Sequence, residues 1–151
     1  MISTQLIYAG RLERVLANLI DTIILLIPSA ITATVLGEAS LGVLVMFLCN
    51  LGYYTAFNSS RWQATPGKRL LNIYIIRLNG RPLGQVEAME RYIAFTLPSL
   101  PIYLSFLSEN TATMMVVWLS LLWFLPIIFR DDRAGMHDRI CDTRVVVGKV
   151  D

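Results

Sequence analysis

RLERVLANLIDTIILLIPSAITATVL, residues Arg11 to Leu36, opens with two arginines and then runs mostly apolar around a single aspartate, Asp21. Val15 to Leu36 is 22 residues, about 33 Å of helix at about 1.5 Å per residue, enough to cross a bilayer. Arg14 and Asp21 lie two turns apart, so both project from one face, with Asn18 and Thr32 near the same line and Ser29 beside it. A polar stripe on a membrane helix must face protein or water, because hydrocarbon cannot solvate it. A secretory leader would be shorter, would lack an internal aspartate, and would not be followed by further apolar runs.

Composition agrees. Of 151 residues, 55% are hydrophobic and 16% charged, whereas a soluble domain is nearer one quarter charged. The net charge of +2 is too small to suggest a nucleic-acid partner. Cys49 lies in an apolar run and Cys141 in a charged tail, so both are expected to be free thiols. With one histidine there is no metal-ligand cluster, and no cofactor is expected.

Outward from the first helix, three more spans are expected, at 41–57, 93–107 and 112–129. The third is interrupted by Pro98 and Pro101 and is short, about 22 Å. MISTQLIYAG, ahead of the first helix, reads as an interfacial lead-in with Tyr8 in an aromatic belt. Segment 58–91 reads as soluble: a turn at Thr65-Pro66-Gly67, a strand over Asn72–Leu78, then Asn79-Gly80, a strong hairpin signal. A weak return arm follows at Arg81–Gly84, then a helix from Val86 with a Glu87–Arg91 pair at i, i+4. The tail, 130–151, ends in a strand-like Thr143–Val147, which pairs Val145–Val147 with Ile73–Ile76 in this reading. The fold class is therefore an all-α membrane protein of four transmembrane helices with a small cytoplasmic β-hairpin and a cytoplasmic tail. All 13 basic residues fall outside 15–58 and 92–129, on the side shared by both termini and the middle segment. The opposite turns carry Glu38 and Glu109, so both ends are expected in the cytoplasm.

Three constellations carry possible chemistry. Asp21 in a span needs a partner or a proton. It is either a structural lock, held by an arginine or asparagine such as Asn50 on the second helix, or an ion- or proton-binding site with Arg14 as its tuning cation. Arg130-Asp131-Asp132-Arg133 and His137-Asp138-Arg139 form a juxtamembrane cap, in which His137 is placed to titrate near neutral pH. Gly67-Lys68 suggests a phosphate loop, but the required earlier glycine is Trp62, so Lys68 and Arg69 are assigned to anionic headgroups, with Arg130 and Arg133. No nucleophile–base pair or paired catalytic carboxylates appear, so no enzyme activity is expected.

These stretches resemble the RDD family of small bacterial membrane proteins, named for one arginine and two aspartates. The matching residues are Arg14 with Ile20-Asp21, then Thr65-Pro66-Gly67-Lys68-Arg69-Leu70-Leu71, then His137-Asp138 with Thr143-Arg144-Val145-Val146, in order over nearly the whole chain. Two positions depart: Glu13 stands where a second arginine is usual, and Asp142 where glycine is common. The resemblance implies one multi-pass inner-membrane domain over 1–151, with Arg14, Asp21 and Asp138 as the named residues. It also implies a transport role, for which exchange of monovalent cations for protons has been suggested. Four short helices leave little room for a pathway in one protomer, so transport implies a homo-oligomer in the bilayer. The alternative is a non-transporting scaffold or assembly factor whose Arg/Asp network is structural.

Overall fold

The first helix is inside out. In the computed structural model, which describes residues 7–36, 40–103 and 108–148, α1 runs Arg11–Leu36 and buries Arg14, Ala17, Asp21 and Thr32. Its large apolar residues, among them Leu12, Val15, Leu19, Ile23 and Ile27, are exposed. Water would reverse that arrangement; hydrocarbon favours it. Large apolar residues are likewise exposed on α2 (Ser40–Ser59) and on α5 (Glu109–Phe124) with its continuation α6 (Pro126–Phe129). Among the described residues, three helices are long and apolar enough to cross a membrane: Arg11–Leu36, Leu41–Ser59 and Glu109–Phe129.

The expected third span differs. Helix α4 (Gln85–Thr96) passes into a 3₁₀ segment over Leu97–Tyr103, and 104–107 lie outside the described residues. Pro98 and Pro101 lack the N–H that an α-helix needs and crowd the preceding turn, so the chain tightens there.

At the basic end of the helices sits a polar cap. It contains α3 (Pro66–Leu70), β1 (Ile73–Arg77), α7 (Met136–Ile140) and β2 (Thr143–Val147). The strands pair antiparallel, Ile73 with Val147, Ile75 with Val145 and Arg77 with Thr143, as expected for tail and loop. The hairpin does not form as a strand pair: Asn79-Gly80 does turn the chain, but the return arm contributes one bridge, Ile76 with Pro82. Pro82 has no N–H for a ladder, and the strand from the tail takes the edge instead. Tyr8 bridges to Val146 of β2 in the cap. Residues 7–9 lie along β2, with Ala9 N donating to Val145 O and Val147 N to Ile7 O. One sheet face packs Ile73, Ile75 and Val145 with Ala17, Leu83 and Ala88; the other packs Tyr74, Ile76 and Val146 with Ala64.

The cap contains a repeat. Pro66–Leu70 and Met136–Ile140 are separated by 70 residues, as are Ile73–Arg77 and Thr143–Val147. The left-handed residues follow suit: Gln63 and Asn72 in the first copy, Arg133 and Asp142 in the second. The strand register is symmetric about Ile75–Val145, so a local two-fold axis relates the copies. The same shift carries the end of α2 onto α6 and α1 onto α4 with its 3₁₀ extension. Asn72 and Asp142 each follow a short helix at φ of 56° and 48°, where a short polar side chain or glycine is tolerated.

Candidate functional site

Asp21 is fully buried where α1 meets α3. The short helix begins at Pro66, whose fixed φ suits a first helical position, and its first turn points the Gly67 backbone N–H at the carboxylate. Gly67 N donates to Oδ1 at 2.8 Å, Thr65 Oγ1 donates to Oδ2, and Tyr53 from α2 donates to Oδ1 at 2.9 Å. Lys68 Nζ stands 3.7 Å from Oδ2 and hydrogen-bonds Thr65 Oγ1 at 3.2 Å. Glycine at 67 is required by proximity: a Cβ there would sit 2.3 Å from the Ala17 carbonyl oxygen and 2.8 Å from Asp21 Oδ1.

The second cluster is centred on Asp138, also fully buried. Arg14 Nη1 donates to Oδ2 at 3.0 Å and Arg91 Nη2 donates to Oδ1. Gly135 N reaches Oδ2 at 3.3 Å, and His137 Nε2 lies 3.4 Å from Oδ1. Arg91 Nε also holds Thr143 Oγ1 at 3.1 Å, while Arg14 Nη2 holds Val145 O at 3.3 Å. Asp138 thereby links α1, α4, α7 and β2. Burial opposes its ionisation, but Arg91, His137 and Arg14 outweigh burial and hold the carboxyl well below the usual range.

The two clusters are copies with charge exchanged. Asp21 and Arg91 occupy equivalent positions in the repeat, and so do Lys68 and Asp138. The first copy has acid on α1 and base on α3; the second has base on α4 and acid on α7.

Several expectations change. Arg14 pairs with Asp138, not with Asp21; spacing along α1 set the face but the cap supplies the partners. Asn50 does not reach Asn18 or Asp21, because its Nδ2 donates to Met46 O on its own helix at 2.8 Å. Asn18 lines a small cavity beside the clusters. Lys68 is buried beside Asp21 and does not stand on the outer surface; burial pulls its pKa down to about 8 against the pull of Asp21. Arg69 is exposed with its guanidinium 4.4 Å from the Trp62 ring centre. Arg130 is exposed, with Asp132 at 3.5 Å, and Arg133 bonds Tyr8 O at 3.2 Å. His137 does not titrate near neutral pH: burial lowers its pKa to about 4 despite Asp138, and its ring packs edge-on against Phe95 and Phe124. Glu87 pairs with Arg77, leaving Arg91 to turn inward.

Arg91, Tyr53, Thr65 and Gly67 are site residues that sequence reasoning did not assign. The separation of 70 residues would have found Arg91, since it places that arginine opposite Asp21 and repeats Ala64, Arg69 as Ala134, Arg139. Tyr53 had no signal, because an aromatic on an apolar helix reads as core. Among the described residues no group of His, Cys, Asp or Glu could hold a metal ion, and both cysteines are free.

No solved structure matches the chain. It is 26% identical over 104 residues to the uncharacterized protein YxaI of Bacillus subtilis (strain 168), a match covering 69% of this chain and 56% of that one. The chain thus spans about half the length of this curated relative. The model of the RDD family matches residues 8–142, from the residue beside β2 to the turn before it, taking in Arg14, Asp21 and Asp138 with all their partners except Thr143 and Val145. The chain belongs to the RDD family.

Proposed function

We propose that the protein is a non-transporting, non-enzymatic membrane scaffold or accessory module, in which the Arg/Asp/Lys network clasps a cytoplasmic cap onto the helices. One observation carries this reading. Asp21 is fully buried and its oxygens already accept from Tyr53, Thr65 and Gly67, with Lys68 beside them. A monovalent cation needs free oxygen ligands, and here basic and N–H groups take their place. The confinement of basic residues to one side supports cytoplasmic termini. The repeat supports a fourth membrane segment, since α4 and its 3₁₀ extension stand where α1 stands in the first copy.

A second reading, cation/proton exchange through an oligomer in a bacterial inner membrane, rests on Lys68. A buried lysine with a pKa lowered to about 8 can give up its proton near physiological pH. Reconstitution into proteoliposomes separates the two. The scaffold reading expects no cation- or pH-driven flux from wild type, and a large loss of thermal stability in Asp21→Asn. Flux in wild type that Asp21→Asn abolishes, with stability kept, would establish exchange instead.

A further inference from the structure

Between the two charge clusters lies a cavity of about 70 Å³, lined by Arg14, Lys68, Arg91, Asn58 and His137 with aromatic walls. That is room for several water-sized groups, or for one tetrahedral oxyanion. Three cations border it, whereas the carboxylates that neutralise them number two, Asp21 and Asp138. The surplus traces to Arg14: its equivalent in the second copy is Gly84, so the repeat provides no acid to balance it. Arg14 is buried, and its Nε has no hydrogen-bond partner among the described residues. A buried guanidinium N–H without an acceptor is a costly vacancy.

A second cavity, about 550 Å³, adjoins the first and shares Tyr54, Tyr92 and Phe95 with it. It runs along the membrane helices between α1, α2 and α4, past Leu25, Met46 and Leu100. Its wall is mostly apolar, and it opens among helix faces that carry exposed Leu, Ile and Val. The arrangement is a cavity with a cationic surplus among the described residues, beside a mostly apolar groove with which it shares three aromatic wall residues.

We propose that the protein binds an anionic membrane lipid, its headgroup phosphate in the cavity beside Arg14, Lys68 and Arg91 and an acyl chain in the groove between α1, α2 and α4. Charge complementarity selects the head, since a zwitterionic lipid brings no net charge to offset the surplus. Phosphate oxygens accept from guanidinium N–H groups in a geometry that suits arginine. The proposal does not depend on whether the protein also transports.

The test uses the full chain in detergent, with thermal midpoint and native mass spectrometry as readouts. The probes are phosphatidylglycerol, phosphatidylcholine of the same chains, and inorganic phosphate. Wild type is expected to prefer phosphatidylglycerol over phosphatidylcholine at least about tenfold. Asn58→Asp adds a carboxylate to the cavity at nearly constant shape and cancels the surplus; it is expected to remove the preference while leaving the midpoint without lipid at or above wild type. Should that variant not fold, Thr22→Trp narrows the groove from an exposed position and is expected to weaken phosphatidylglycerol binding. Equal affinity for the two lipids would overturn the proposal, and so would inorganic phosphate matching phosphatidylglycerol. An Asn58→Asp protein that keeps the full preference would place the lipid elsewhere.

Discussion

Gly67→Ala adds one methyl group and tests how closely α3 approaches α1. The new carbon would stand 2.3 Å from the Ala17 carbonyl oxygen and 2.8 Å from Asp21 Oδ1, where ordinary contact needs about 3.4 Å or more. The first obstacle is backbone, so no rotamer change relieves it, and α3 must back away by about 1 Å. That retreat stretches the Gly67 N–H bond to Asp21, now 2.8 Å, and the Thr65 bond with it. Overpacking of this kind costs about 1–3 kcal/mol. A weakened bond to a buried charge adds about 1.5–3 kcal/mol. The sum is about 2.5–6 kcal/mol, and at about 2–4 °C per kcal/mol for a chain of this size the midpoint falls by about 5–24 °C. Intrinsic tryptophan fluorescence during heating in detergent measures it. Gly52→Ala is the control: nothing lies within 4 Å of a Cβ there, so a helix-favouring alanine is expected to leave the midpoint unchanged or raise it. A Gly67→Ala midpoint within 1 °C of wild type would refute the close approach and, with it, the clasp around Asp21.

Asp138→Asn leaves Arg14 and Arg91 buried with no carboxylate, and is expected to cost about 3–5 kcal/mol by the same heating assay. Asn50→Leu removes only a bond within α2, so its midpoint is expected within about 1 kcal/mol of wild type. His137, with its pKa lowered by burial to about 4 from 6.5, resists protonation when folded. The unfolded chain takes up that proton first, so stability falls as pH drops from 6.5 to 4, by on the order of 3 kcal/mol. His137→Gln is expected to flatten that part of the midpoint–pH curve. Lys68 works in the opposite range: with a folded pKa of about 8 against 10.5, it makes stability rise as pH climbs from 8 to 10.5. Lys68→Met is expected to remove that rise.

Residue identity located the site better than it located the bonds. Arg14, Asp21 and Asp138 are all buried at the helix–cap junction, where the polar face of α1 placed the first two. Their partners were misassigned because the spacing of Arg14 and Asp21 suggested one cluster. In the folded chain the repeat divides them between two, and each carboxylate is held by its own short helix. Those helices, five residues each, are too short for hydrophobic periodicity to reveal. The tail-to-loop strand pairing was legible because Val145–Val147 and Ile73–Ile76 are both short runs rich in β-branched residues. The hairpin failed because turn chemistry reports only the turn, and Pro82 left its return arm unable to compete.

What the sequence determined by itself is the solvent: long apolar helices with their few charges gathered on one stripe or at one end. That follows because transfer free energy adds up residue by residue along the chain. Which acid meets which base was decided only in three dimensions. Coulomb attraction has no sequence register, and three buried cations could have shared two carboxylates in several ways. The positions of α3 and α7 chose among them, by bringing backbone N–H groups and one glycine against Asp21 and Asp138.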